Sequence, residues 1–226
     1  SNQRSCLEFP GSLQENGQFL GQVTCSGSPD SAMLSQALLP HTLRSLPKLA
    51  AIPVFRKAYL AGGTALAMQI GHRISTDLDF FTPQEFNELA LILELKHAGQ
   101  YTESQQSWQT LIGEFEDTKF SIFYYPYDII DPFLTFKGIN VLSKKDIAAM
   151  KIHALEDRGT KRDFVDVFFL SKEFSLEQML KFYDQKYHAL DEHLVHIIKS
   201  LNYFADADAV EDKTPQMLNN TPWEET

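Results

Sequence analysis

The chain has 226 residues, of which 43% are hydrophobic and 22% charged, enough for one large or two small domains with a substantial core. Its 20 basic and 30 acidic residues leave a net charge of −10, which excludes a uniformly basic nucleic-acid sleeve. No apolar run reaches the ~18 residues of a membrane span, and both cysteines, Cys6 and Cys25, lie near the start. A disulfide framework or zinc–thiolate centre in the main domain is thereby excluded, and a reducing, cytoplasmic setting without a membrane is expected.

Residues 1–32 are rich in Ser, Gly, Gln and Asn and lack periodicity; they read as a translated vector linker or flexible leader ahead of Met33. From Met33 to Ala50 the pattern is helical, with breaks expected at Pro40 and Pro47. Phe55–Ala61 reads as a strand closed by Gly62-Gly63, Thr64–His72 as a helix, and Leu78–Phe81 as a short strand. An amphipathic helix over 84–98 follows. Thr110–Phe115 and Lys119–Tyr125 form a hairpin around Glu116-Asp117-Thr118, and Ile139–Leu142 is one more strand.

Beyond that point the sequence turns helical. Ser143 and Asp146 open a helix to about Asp157, Thr160 and Asp163 open the next, Ser175 and Gln178 a third, and 189–205 reads as a fourth. The tail from Asp206 is polar. Strands followed by helices predict an α/β or α+β domain: a core over 33–142 and a helical part over 143–226.

The segment Leu60–Phe81 carries the strongest chemical signal. A strand runs into Gly62-Gly63, where backbone can approach a ligand, and the free N–H groups of a starting helix attract phosphate. Asp77 and Asp79, two apart, project side by side; paired carboxylates call for a cation, and oxygen ligands suit Mg²⁺. Phosphate grip and metal carboxylates at one sheet end suit phosphoryl or nucleotidyl transfer. Each fragment alone is a common turn or strand end; their order carries the reading.

On a helical wheel, Lys151 falls among Ile147, Met150, Ile152 and Leu155, while Asp146, His153, Glu156 and Asp157 share the other arc. Such a lysine either snorkels to water or delivers its ammonium into a cleft. In Lys161-Arg162-Asp163-Phe-Val-Asp166 the two aspartates share a helix face, although Asp163 also fits a capping box with Thr160. Lys144, Lys145, Lys151, Arg158, Lys161 and Arg162 gather in one short segment, a local basic surface on which a polyanion could dock. The seven histidines show no metal-ligand spacing, and the aromatic run Phe120–Tyr127 reads as strand core.

At these residues the sequence resembles the AbiEii/AbiGii toxin-type nucleotidyltransferases, a branch of the polymerase-β-like nucleotidyltransferase superfamily. The likeness lies in Gly62-Gly63-Thr64 followed by Asp77-x-Asp79, in Asp146–Lys151, in Lys161–Asp166 and in Thr221–Glu225. It implies a mixed sheet with flanking helices and a helical C-terminal region. It implies Mg²⁺-dependent transfer of a nucleoside monophosphate from an NTP to an acceptor such as tRNA, and a separate cognate antitoxin. Asp77, Asp79, Lys151 and Asp163 would be catalytic, with Asp77 and Asp79 on the metal and Gly62, Gly63, Thr64, Arg73 and Ser75 on the nucleotide. One departure stands out: Ser121 occupies the place where many such enzymes carry a third carboxylate. A serine there leaves open a non-catalytic nucleotide- or partner-binding module, and a small-molecule acceptor such as an antibiotic also remains.

Overall fold

A computed structural model of the chain describes residues 33–203 and 215–218; the expectations for 1–32 and for Thr221–Glu225 lie outside them. After a 3-10 turn at Ser35–Ala37, α1 runs over Pro40–Ala51 and α2 over Pro53–Lys57. Then come β1 (Tyr59–Leu60), α3 (Gly62–Ile70), β2 (Leu78–Thr82) and α4 (Glu88–Ala98). The meander β3 (Tyr101–Ser107), β4 (Thr110–Phe115) and β5 (Thr118–Tyr124) is followed by β6 (Leu134–Phe136) and β7 (Ile139–Val141). Four helices close the described chain: α5 (Lys144–Asp157), α6 (Lys161–Ser171), α7 (Leu176–Tyr187) and α8 (Leu190–Leu201).

The strands form one seven-stranded mixed sheet in the order β3-β4-β5-β2-β1-β7-β6. β2 lies at its centre, antiparallel to β1 and parallel to β5, with Asp79 opposite Ser121. Leu78, Phe80 and Thr82 of β2 are buried, so Asp79 and Phe81 project from the other face. Phe55 meets Phe80 edge-on at 4.8 Å and Phe120 at 5.9 Å, part of a continuous core that also takes in Ile147, Ile152 and Leu170 of the C-terminal helices. No described helix is long and apolar enough to cross a membrane.

Several local expectations change. Pro40 starts α1 rather than breaking it, and Pro47 lies inside that helix. An internal proline costs about 3 kcal/mol, but Leu46 and Leu49 are fully buried beside it and contribute about 1.5–3 kcal/mol each. Of the strand expected over Phe55–Ala61, the first three residues belong to helix α2, with Pro53 in its first turn, and Ala58–Ala61 are extended, with Tyr59–Leu60 paired in the sheet. β3 was not legible: all but its first residue are exposed, so pairing with β4 rather than an apolar pattern makes it a strand. The β4–β5 hairpin forms as expected, with Glu116 and Asp117 both at positive φ in its turn.

Two of the three expected helix starts are side-chain caps: Ser143 accepts from the Asp146 N–H, and Ser175 with Gln178 forms a complete capping box. Asp146 does not face water. It is fully buried, bonded by Lys186 at 3.0 Å, by Ser143, and by the backbone N–H groups of Ile130 and Asp131. Lys186 also donates to the Asp128 carbonyl at 2.7 Å, so this buried pair clamps the 128–131 loop between α5 and α7.

Candidate active site

The sheet brings Gly63, Arg73, Ser75, Asp77, Asp79, Lys151 and Asp163 around one cleft of about 230 Å³, with Arg158, Thr160 and Arg162 completing its wall. Its base is the diglycine bend between β1 and α3. Gly62 sits at φ +64°, in the left-handed region that favours glycine, and a Cβ there would lie 3.2 Å from Asp79 Oδ2. A Cβ on Gly63 would stand 1.9 Å from Arg73 Nη2. The first glycine is thus needed for backbone conformation and the second for the closeness of the arginine. The N-cap residue Ala61 offers no side-chain cap, so the first N–H groups of α3 have no intrahelical partner, and of these residues Gly63 lines the cleft.

Thr64 is buried, and its hydroxyl donates to the Asp77 carbonyl and lies 2.7 Å from Ser75 Oγ. It pins the loop that carries Asp77, so its hydroxyl is turned to the chain rather than free for a ligand. Asp77 immediately precedes β2 and Asp79 lies within it, flanking buried Leu78. Ser121 donates to Asp79 Oδ1 at 2.6 Å, which leaves Oδ2 on the side of Gly62. The serine at the third-carboxylate position therefore orients one of the two carboxylates that are present.

Behind the cleft lies a buried charge network. Arg73 donates to Asp166 through Nε at 2.8 Å and Nη2 at 3.0 Å. Its backbone forms an antiparallel bridge with Met217, and Ile74 N–H donates to the Gln216 carbonyl, so the 215–218 segment backs the arginine. Lys151 lies on the buried face of α5, with Nζ 2.7 Å from Asp166 and 2.8 Å from Asp163. Two of its three protons are so engaged, and one remains for the cleft. Asp163 also accepts from Arg158 Nε at 2.9 Å and from the Thr160 hydroxyl at 2.6 Å. The Thr160–Asp163 spacing is therefore not a side-chain cap: Thr160 donates to the carboxylate, and only its carbonyl serves the helix, accepting the Asp163 N–H.

Burial opposes every charge in this network, and pairing outweighs it. It would raise the Asp166 carboxyl, but Lys151, Arg73 and His72 hold it well below the usual range; Lys151 and Arg158 do the same for Asp163. Burial opposes the Lys151 ammonium too, yet Asp166 and Asp163 hold its pKa above the ordinary value. His72 is the exception. Burial lowers its pKa more than Asp166 raises it, so the ring is neutral and donates from Nε2 to Asp166 across 2.7 Å. Three cations (Arg73, Lys151, Arg158) against two anions (Asp163, Asp166) leave one positive charge facing Asp77 and Asp79.

The expected site residues are thus all brought to the cleft or its rear wall. Arg158 was read only as part of a basic surface and Asp166 only as sharing a face with Asp163; His72 was missed. Asp166 had a signal, an acid inside the apolar run Phe164–Leu170; His72 had none, since its partner is 94 positions away. The expected basic surface is dispersed. Lys144 pairs with Glu173 and Lys145 with Asp131, at the end of α5 opposite Arg158. That separation is about 20 Å at 1.5 Å per residue.

The chemistry of the donor set decides whether a divalent metal fits. Among the described residues no group of three His, Cys, Asp or Glu side chains is poised to hold an ion. Two adjacent carboxylates beside an uncapped helix start fit Mg²⁺, which usually takes one or two carboxylates and completes its shell with phosphate oxygens and water.

A mixed sheet with an uncapped diglycine helix start, paired carboxylates and a buried lysine around one cleft is the architecture of a nucleotidyltransferase. The model of the nucleotidyl transferase AbiEii toxins, of type IV toxin–antitoxin systems, matches residues 44–131 and 122–221. An uncharacterised protein of Aquifex aeolicus is 36% identical over 189 residues, covering 80% of this chain and 88% of its own. Among solved structures, JHP933 of Helicobacter pylori superposes with TM-score 0.51 at 20% identity, covering 85% of this chain and 88% of that one, a likeness of fold. The MenT4 nucleotidyltransferase toxin of Mycobacterium tuberculosis gives TM-score 0.46 at 14% identity, covering 76% and 83%. The chain belongs to the AbiEii nucleotidyltransferase toxin family.

Proposed function

We propose that the enzyme transfers a nucleoside monophosphate from an NTP to a hydroxyl of an RNA acceptor, with Mg²⁺ as its metal. Convergence of the α3 start, Asp77 and Asp79, and Lys151 on one cleft carries this reading. The backbone N–H groups of Gly62, Gly63 and Thr64 bind the triphosphate. Arg73, held by Asp166 and Ser75, and the remaining Lys151 proton neutralise charge on the phosphates. Asp77 and Asp79 would hold Mg²⁺, which would supply charge neutralisation to the phosphates.

The acceptor oxygen forms a bond to the α-phosphorus while the bond from that phosphorus to the α–β bridging oxygen breaks, and pyrophosphate leaves. The hydroxyl proton passes to water. Asp163 positions Lys151 rather than acting as base, because its oxygens are occupied by Lys151, Arg158 and Thr160. In such a transfer positioning and charge neutralisation supply more of the catalysis than a strong base does.

Family membership supports an NTP substrate and a cognate antitoxin. Arg158 and Arg162 at the cleft support a polyanionic acceptor. Neutralisation of Lys144 and Lys145 by carboxylates favours a second reading, a small-molecule acceptor. The test uses NTPs labelled at the α- or the γ-phosphate, with total tRNA or an aminoglycoside. The proposed reaction moves α-label into tRNA and releases γ-label in pyrophosphate. Label in the aminoglycoside alone selects the second reading, and γ-label in an acceptor overturns nucleotidyl transfer.

A further inference from the structure

A second cavity, of about 670 Å³, opens between the C-terminal ends of α5 and α8, lined by Leu155, Arg158, Gly159, Ile198, Asn202 and Tyr203 among others. Arg158 also walls the catalytic cleft, so the two spaces meet at this side chain. The cleft alone, at about 230 Å³, is smaller than the roughly 300–1,000 Å³ of pockets that take small molecules; the second cavity lies within that range. The cleft is polar and charged, as phosphates require. The second cavity is mixed: Leu155, which is buried, Ile198, and Tyr203, which is 58% exposed, give it apolar surface, while Glu156, Asp157 and Lys199 line it as well.

We propose that this cavity is a nucleoside subsite in which a base stacks on Tyr203 over Ile198 and Leu155, with the attached phosphates turned past Arg158 into the cleft. This rests on the nucleotidyl-transfer reading above and extends it to where the rest of the nucleotide lies. Three features support it. An aromatic face beside aliphatic side chains accepts any base. Asn202 donates from Nδ2 to the Ile198 carbonyl at 2.8 Å, which leaves its amide oxygen to accept from a base edge. Arg158 is held to Asp163 by two hydrogen bonds, at 2.9 and 3.2 Å, so a fixed cation stands where base and phosphate must be joined.

The nucleoside can come from the NTP or from the terminal nucleotide of the acceptor, and the test separates them. KM is measured for ATP, GTP, CTP and UTP at saturating total tRNA, and for total tRNA at saturating NTP, in the wild type, Tyr203→Ala, Tyr203→Phe and Ile198→Glu. Base–aromatic stacking makes a rise of about 5- to 100-fold in one of the two constants the expected result for Tyr203→Ala. Ile198→Glu should do the same, and Tyr203→Phe should stay within about twofold. A rise for the NTP assigns the subsite to the donor, and a rise for tRNA assigns it to the acceptor. Unchanged constants in Tyr203→Ala and Ile198→Glu, with the wild type active, overturn the subsite and leave nucleotidyl transfer standing. If the wild type transfers no label, equilibrium dialysis of the four NTPs replaces the assay. Weaker binding by Tyr203→Ala then supports the subsite without turnover, equal binding by both proteins overturns it, and no binding by the wild type overturns both readings.

Discussion

Asp166→Asn preserves side-chain volume and removes the charge to which Arg73, Lys151 and His72 all point. The carboxylate is fully buried and accepts at 2.8 and 3.0 Å from Arg73, 2.7 Å from Lys151 and 2.7 Å from His72. Lys151 would keep Asp163 as an anionic partner, but Arg73 would lose its own and keep neutral acceptors alone: the one amide oxygen of the new side chain, the Ser75 hydroxyl at 3.4 Å and the Ile74 carbonyl at 3.3 Å. Removing one partner of a buried ion pair costs about 3–5 kcal/mol, which in a chain of this size lowers Tm by roughly 6–20 °C. Urea unfolding and calorimetry measure both. Asp163→Asn is the control: its partner Arg158 has a side chain 59% exposed, so water compensates part of that loss and the cost should be smaller. Because pairing with Lys151 and Arg73 outweighs burial and depresses the Asp166 pKa, its stabilisation is present above the ordinary carboxylate range. It is lost as pH falls below that range toward the folded value. Asp166→Asn should therefore also flatten the acid limb of the stability profile. A cost below about 1 kcal/mol with an unchanged acid limb would refute the network as drawn.

Gly63→Ala must displace Arg73, since the new Cβ would fall 1.9 Å from Nη2; label transfer should drop at least tenfold, and wild-type rates would contradict the packing. Ser121→Ala releases Asp79 Oδ1 from a 2.6 Å hydrogen bond, which predicts a higher Mg²⁺ concentration for half-maximal activity with stability changed by about 1 kcal/mol or less. An unchanged metal requirement would count against an orienting role. His72, whose pKa burial lowers, stays neutral in the folded state while the unfolded imidazole takes a proton below about pH 6.5. Wild-type stability should then fall more steeply than that of His72→Gln as pH drops from about 6.5 to 5, read from urea midpoints; parallel slopes would contradict a neutral ring.

What the sequence made legible follows the range of the forces involved. The diglycine bend, the Asp77–Asp79 pair, the β4–β5 hairpin and the starts of α5 and α7 are set by residues within a few positions of one another, and all were readable. Lys151 was readable because an ammonium in an apolar helical arc is a local anomaly. The partners were not. Arg73 and His72 reach Asp166 across 93 and 94 positions, and Asp146 reaches Lys186 across 40. Asp146 was read only as part of a helix start on the arc opposite Lys151, because the wheel shows only its own helix. β3 failed for a related reason: its polar, exposed residues carry no period, and its hydrogen bonds belong to β4. Pro53 and the burial of Phe55 turned an expected strand into α2.

The most direct single measurement is the rate at which α-label passes from NTP to acceptor in Asp79→Asn beside the wild type, with and without EDTA. Asp79 holds the centre of the sheet through its backbone, where its carbonyl accepts from Ala61 N–H, and presents only its side chain to the cleft, so the variant should fold. A loss of transfer of at least about 100-fold, matched by EDTA in the wild type, is the predicted result. Equal transfer by the folded variant would mean that the chemistry takes place somewhere other than the cleft at Gly62-Gly63, and transfer indifferent to EDTA would contradict the metal requirement.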